Sequence, residues 1–234
     1  MMVARSTLQE NLCAIEGRIT HACERAGRKR EDVLFLLVTK TQPVSAIREL
    51  YDVGHRRFAE SRVQELLKKR AELPEDIQWH LIGHLQSNKA RQIASFVYSV
   101  HSLDSFETGI ELSKRAEQFD RKIEVLIEVN ISDEDQKNGV EPSDALPLLL
   151  RIVEACPNLT AVGLMGMASF EEDVERTRPQ FRKLRELRDS IKASHPELTS
   201  FKELSMGMSN DFEIAIEEGA TIVRIGSALF SGNE

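Results

Sequence analysis

Two hydrophobic periods alternate along the chain. Leu8, Leu12, Ile15 and Ile19 recur at spacings of four, three and four, the stripe of an amphipathic helix. Ser6 with Gln9 has the form of a capping box and Gly27 supplies a stop, so a first helix is predicted over about 6–26. From Val33 to Val38 the pattern changes to an unbroken apolar run, as in a central strand of a parallel sheet covered on both faces. Pro43 then opens a helix that Gly54 closes.

The same alternation continues to the end. Strands are predicted over 57–60, 78–83, 97–101, 122–130 and 160–165, with helices from about 62, over 86–96, over 105–119 and ending near 155. Between the last two of these strands, 132–142 reads as a loop whose acids Asp133, Glu134 and Asp135 lack the other ligands of a calcium loop and mark a solvated turn. Phe181, Leu184, Leu187 and Ile191 stripe a further helix, and its Arg-rich stretch from Arg176 to Arg188 reads as a solvated face. Strands over 203–206 and 221–225 flank a helix over about 211–218 that Gly219 ends.

Eight strands, each followed by a helix, are what a closed parallel (β/α)8 barrel of the TIM type needs. A doubly wound open sheet uses the same string; the barrel is the preferred reading. Only eight residues follow Gly226, too few for a full eighth helix, so the N-terminal helix is expected to fill that gap in the outer ring. No Pro/Gly/Ser-rich linker interrupts the alternation, which places 1–234 in one domain.

Composition changes this picture little. At 41% apolar and 29% charged residues the chain is that of an ordinary globular protein able to bury a core without staples. Cys13, Cys23 and Cys156 have no metal or disulfide spacing and suit a reducing compartment. No apolar run reaches the length of a signal core or a membrane span, so a cytoplasmic protein without a membrane partner is expected. A net charge of −7 with short basic clusters argues against nucleic acid.

In such barrels, reactive groups lie at the C-terminal strand ends, which share one mouth. The polar or small residues predicted there are Lys40, Glu60 with Ser61, His80 with Gly83, His101, Asn130, Met165 with Gly166, Ser205 to Ser209, and Arg224 with Gly226 and Ser227. Lys40 follows six apolar residues and Thr39, which would start its stem inside the wall and partly desolvate its amine, the condition for a Schiff base with an aldehyde. A solvated lysine at a strand end is the plain alternative. Gly207 before a helix and Gly226 after the last strand stand where barrels bind phosphate through backbone N–H groups, although either glycine alone is also what a simple turn uses. His80 and His84 are four apart, but in a strand that spacing spans about 13 Å, which argues against chelation by both. The run Gly163 to Met167 reads as a packed strand end. No nucleophile elbow, Walker loop, dinucleotide fingerprint or zincin helix is present.

Taken in order, Leu37 to Thr41, Trp79 to Lys89, Val129 to Ile131, Gly163 to Met165, Leu204 to Ser209 with Asp211, and Val223 to Phe230 resemble the pyridoxal phosphate homeostasis protein family over almost the full chain. The resemblance implies a single barrel similar to the N-terminal domain of bacterial alanine racemases, with pyridoxal 5′-phosphate as a Schiff base on Lys40. It further implies that Ser209, Gly226 and Ser227 hold the phosphate and that Arg224 faces the pyridine nitrogen. Ser205, Gly207, Met208, His80, Asn130, Met165 and Ser61 complete the expected cofactor contacts. An arginine at the ring nitrogen keeps its proton and weakens the cofactor as an electron sink.

Racemases carry a second, C-terminal β-domain and a catalytic tyrosine. This chain ends at Glu234 without that domain, and Tyr51 and Tyr98 are predicted away from the mouth. The implied role is therefore a non-catalytic, monomeric carrier in vitamin B6 homeostasis, with pyridoxal phosphate-dependent apoenzymes as recipients. A small racemase-like enzyme on the same cofactor is the alternative, and a phosphate-binding barrel enzyme with Lys40 as imine former is the reading free of the resemblance. The family usually has Gly-Glu-Asn where this chain has Ala59-Glu60-Ser61, and Gly166-Met167-Ala168 and Ser231-Gly232 also depart from its pattern.

Overall fold

The computed structural model describes residues 7–132 and 138–230. In chain order it contains α1 (Thr7–Arg25), β1 (Leu34–Val38), α2 (Val44–Asp52), β2 (Arg57–Glu60), α3 (Val63–Glu72), β3 (Gln78–Leu81), α4 (Ala90–Ile93) and β4 (Ser99–Leu103). There follow α5 (Phe106–Glu117), β5 (Ile123–Asn130), α6 (Pro142–Ala155), β6 (Leu159–Met167), α7 (Arg178–Ser194), β7 (Glu203–Ser205), α8 (Phe212–Glu217), β8 (Ile222–Ile225) and α9 (Ser227–Phe230). The eight strands close into a parallel barrel in sequence order. Closure is made by β1 on β8, with Leu34 opposite Ile222 and Leu37 opposite Ile225.

The apolar run of β1 is divided between two surroundings. Phe35 and Leu37 join the large core between barrel and helices, whereas Leu36 and Val38 meet Ala59 and Ile222 in a small separate cluster. Leu126, Val162 and Met165 make another. Buried polar side chains, among them His80, His101, Ser205, Glu128 and Arg224, occupy barrel strands alongside them. The interior is thus partly polar, which an all-apolar filling of a small barrel would not need.

α1 closes the outer ring as expected. Leu8, Leu12, Ile15, Ile19 and Ala22 are buried, Asn11 Nδ2 donates to Leu229 O at 3.0 Å, and Arg18 stacks over Phe212 and pairs with Glu213 at 3.1 Å. Each buried aliphatic side chain is worth about 1.5–3 kcal/mol over exposure, against about 0–1 for the exposed ion pair, so the stripe docks this helix. The Ser6 capping box and the Asp133 to Asp135 turn lie outside the described residues.

Three expectations change. The helix predicted over 86–96 is a 3-10 turn, Ser87–Lys89, running into the single turn of α4; Ser and Asn are weak helix formers. β4 begins and ends two residues later than predicted. The Arg-rich helix is more than a solvated face: Arg178, Arg182 and Arg185 converge on the buried carboxylate of Glu218 at 3.4, 2.9 and 2.8 Å, tying α7 to the residue after α8.

Candidate functional site

A cavity of about 560 Å³ lies at the C-terminal ends of the strands. Its walls include Lys40 after β1, Ser61 after β2, Met208 and Ser209 after β7, Arg224 of β8, and Gly226 and Ser227 after it. Backbone geometry shapes one side. Gly207 has φ +90, and a Cβ there would lie 2.5 Å from Ala215 Cβ and 2.9 Å from Phe212 Cα, so this turn requires glycine. Next to it Asp211 Oδ1 accepts the Met208 N–H at 2.6 Å, while Met208 O accepts the Phe212 N–H at 2.9 Å. Ser209 Oγ accepts the Ala228 N–H at 3.2 Å and joins the loop after β7 to α9. At Gly226 a Cβ would come within 2.8 Å of Val38 O, so the two strand ends meet backbone to backbone.

Arg224 is the buried cation of this site. Its NH1 donates to Ser205 Oγ at 2.8 Å and its NH2 to Gly166 O at 3.2 Å. Burial pushes its pKa down to about 10, opposed by the charges of Asp211 and Glu128. The guanidinium still carries its proton at neutral pH. Burial also raises the Asp211 carboxyl, against the Met208 N–H and Arg224, which favour its charged form.

Lys40 departs from expectation, because it is exposed at the rim rather than rooted in the wall. The strand stops at Val38, so Lys40 lies beyond it, in the turn where Thr41 has φ 66. What is buried is its predecessor. Thr39 Oγ1 donates to Glu60 Oε1 at 2.6 Å, and Lys69 Nζ from α3 donates to both Thr39 O and Glu60 Oε1 at 2.7 Å. A dry ion pair therefore anchors the residue before Lys40 to two neighbouring elements.

Of the residues predicted here, the structure brings together Lys40, Ser61, Met208, Ser209, Arg224, Gly226 and Ser227, with Ser205 and Gly207 directly behind them. It does not bring His80, Asn130 or Met165. Met165 is packed with Leu126 and Val162, and Asn130 Oδ1 accepts from Ser132 N and Oγ. His80 lines the opposite, N-terminal mouth, and its Nδ1 meets His101 Nε2 at 2.9 Å. The two-residue shift of β4 places His101 within the strand, fully buried, instead of at its end. His84 is exposed and bonded to Asp104, so it and His80 share no site; among the described residues no cluster of metal-ligating side chains occurs.

Sequence reasoning missed other parts of the wall. Met167, at the end of a β6 that runs two residues further than predicted, lines it with Ala168 and Ser169 beyond, Asn138 and Asn210 reach it from loops, and Thr177 from a 3-10 turn before α7. Asp211, in the motif but not among the predicted contacts, supports the turn. Glu128 is buried with Oε2 unpartnered, and desolvation, with Asp104 nearby, raises its pKa to about 7; its place as the polar member of an alternating strand gave no hint of this.

The family model described as alanine racemase, N-terminal domain, matches residues 11–234. A pyridoxal phosphate homeostasis protein of Aquifex aeolicus is 46% identical over 94% of this chain and 96% of its own length, and one of Pseudomonas aeruginosa is 40% identical over 98% and 97%. The solved structure of PipY from Synechococcus elongatus with PLP bound superposes with a TM-score of 0.78 at 33% identity, over 91% of this chain and all of that one. An alanine racemase of Clostridium difficile superposes with a TM-score of 0.71 over 96% of this chain and 56% of its own, but at 14% identity shares the fold alone.

Proposed function

The chain belongs to the alanine racemase N-terminal domain family and, within it, to the pyridoxal phosphate homeostasis proteins, and on that premise we propose that it binds pyridoxal 5′-phosphate covalently through Lys40 and keeps it in supply without turning over a substrate. The observation that carries this reading is the meeting, in one cavity, of Lys40, the buried Arg224 and the tight loops that bear Ser209, Gly226 and Ser227. When bound, the cofactor supplies an aldehyde with which a lysine amine condenses.

The residues present fit such a group. Lys40 lines the cavity at its rim, where its amine would be open to an incoming carbonyl. Ser209, Gly226 and Ser227 offer hydroxyls and backbone beside α9 for a phosphate. Arg224 can only donate, so a ring nitrogen facing it accepts a hydrogen bond and stays unprotonated, which suits holding the cofactor more than carbanion chemistry. The tyrosines support the same choice: Tyr51 OH is bonded to Asp76 at 2.7 Å on the surface, and Tyr98 OH to Glu124 at 3.3 Å at the opposite mouth. Neither reaches the cavity. Among the described residues no helix is long and apolar enough to cross a membrane, and a cytoplasmic monomer that hands the cofactor to apoenzymes completes the proposal.

The test is direct. Added pyridoxal phosphate should produce an imine absorbance band, and borohydride followed by peptide mass spectrometry should place the reduced adduct on Lys40. An adduct scattered over surface lysines would end this reading. Incubation with amino acids should give no α-proton exchange; Lys40-dependent exchange would replace the carrier with a small racemase-like enzyme.

A further inference from the structure

Behind Arg224 a line of hydrogen bonds crosses the barrel from one mouth to the other. Arg224 NH1 meets Ser205 Oγ at 2.8 Å, Ser205 Oγ meets His101 Nδ1 at 2.9 Å, and His101 Nε2 meets His80 Nδ1 at 2.9 Å. All four side chains are buried, none more than 3% exposed.

A guanidinium only donates, so Ser205 Oγ accepts from it. The other partner of Ser205 Oγ among the described residues is His101 Nδ1, and the direction that leaves the buried serine O–H paired is donation to that nitrogen. An imidazole that is neutral and accepts at one nitrogen donates at the other. His101 therefore gives its Nε2–H to His80 Nδ1, and His80 in turn carries its proton on Nε2. Both rings are neutral: burial pushes His80 down to about 3, and burial, His80 and the Arg224 charge push His101 well below the ordinary histidine value. Among the described residues buried His80 Nε2 has no partner, and His80 lines a cavity of about 780 Å³ at the N-terminal mouth.

We propose that Ser205, His101 and His80 are positioning residues for Arg224, acting as a one-way hydrogen-bonded relay that fixes the guanidinium so that its remaining N–H groups face the cofactor cavity. The inference rests on the reading that Arg224 meets the cofactor ring. Arginine has several rotatable bonds and loses about 2 kcal/mol of rotamer freedom when held. Two acceptors on its barrel side, Ser205 Oγ and Gly166 O, define the plane of the fork. The histidines answer the next question, where a serine hydroxyl deep in a barrel finds its acceptor. The second histidine pairs the Nε2–H of the first, and the line ends at His80 Nε2, buried and without a partner among the described residues, on a side chain that lines the N-terminal cavity. The relay accounts for both histidines, neither of which reaches the cofactor cavity.

Ligand-free protein labelled with ¹⁵N-histidine tests this by two-bond proton–nitrogen correlation. His101 and His80 should both appear as neutral Nε2–H tautomers around neutral pH, and Ser205→Ala should release His101 into a tautomer mixture. In the same variant pyridoxal phosphate should bind on the order of tenfold more weakly, as for one lost hydrogen bond to a charged group, with a shifted imine band. An Nδ1–H tautomer or an imidazolium at His101 would overturn the relay, as would an unaltered tautomer and band in Ser205→Ala. If that variant fails to fold, the wild-type tautomers decide alone. They require no cofactor, so an absent Lys40 adduct would remove the cofactor reading and leave the relay to be judged separately.

Discussion

The two mouths of the barrel are both hollow, and the larger hollow is at the end away from Lys40. At the N-terminal mouth the cavity of about 780 Å³ is lined by Arg28, Arg57 and Lys202 interleaved with Glu31, Asp32, Glu124 and Glu203. Several of those groups are already engaged by the protein: Arg28 donates to Ile216 O and Ala220 O, Arg57 to Gln78, and Glu203 accepts from Thr221. At the C-terminal mouth Lys40 and Arg224 share a smaller cavity, and among the described residues neither has an ion-pair partner. Volume is a poor guide to function here. Lys40 and Arg224 beside small residues are the better one, and they fall where the strand direction of a parallel barrel would place a site.

Removing Lys40 should break the comparison most completely. Lys40→Ala is expected to abolish the borohydride-trapped adduct, while Arg57→Ala at the other mouth leaves pyridoxal phosphate retention within about twofold, the effect of a change well under 1 kcal/mol; equal losses from both would make the two ends equivalent. Next in size is Lys69→Met. It leaves Glu60 buried without its cation and should cost about 3–5 kcal/mol in urea unfolding, because both side chains are almost fully enclosed. A loss below about 1 kcal/mol would mean that the pair behaves like those on the surface.

Glu128 gives a pH signature, and at the other mouth burial raises Glu124 in the same direction. The folded pKa of Glu128 is raised from 4.5 to about 7, so between those values the folded state binds more protons than the unfolded chain. The associated stability is present below 4.5 and is lost as pH rises through about 7. The difference amounts to at most about 3 kcal/mol. Glu128→Gln should flatten that part of the stability profile, and an unchanged slope would place the titration elsewhere. The smallest effect is expected at Arg18→Ala, about 1 kcal/mol or less by thermal unfolding, for an exposed ion pair with a cation–π contact. A larger loss would show that charge, rather than the stripe from Leu8 to Ile19, seats α1.

Much of the fold could be read from local pattern because strands buried on both faces leave unbroken apolar runs and the helices keep their stripes. The run ending at Val38 and the stripe of α1 are the plainest cases. The site was legible where chemistry is encoded by neighbours in sequence, as in Gly207 to Ser209 and Arg224 to Ser227. It was not legible where a side chain's surroundings come from elsewhere. Lys69 sits in a run of three basic residues, Lys68 to Arg70, and nothing local distinguishes the one that turns inward to Glu60. His101 was expected at a strand end, and a shift of two residues, which keeps it on the same face, is enough to sink it into the interior. For Lys40, six apolar predecessors suggested burial, but the strand ends at Val38 and leaves Lys40 exposed in the turn beyond it.

The C-terminal cavity draws Lys40 from just after the first strand and Gly226 and Ser227 from beyond the last, and the ring of helices is shut by Asn11 reaching Leu229. During synthesis, then, the nascent chain can build most of its strands and still have nowhere to hold a ligand. Contacts of such long sequence separation form late and slowly. A cell making this protein would see no competent binder until β8 has emerged from the ribosome and zipped onto β1, so free ligand cannot template the early steps of folding and can only stabilise the finished ring.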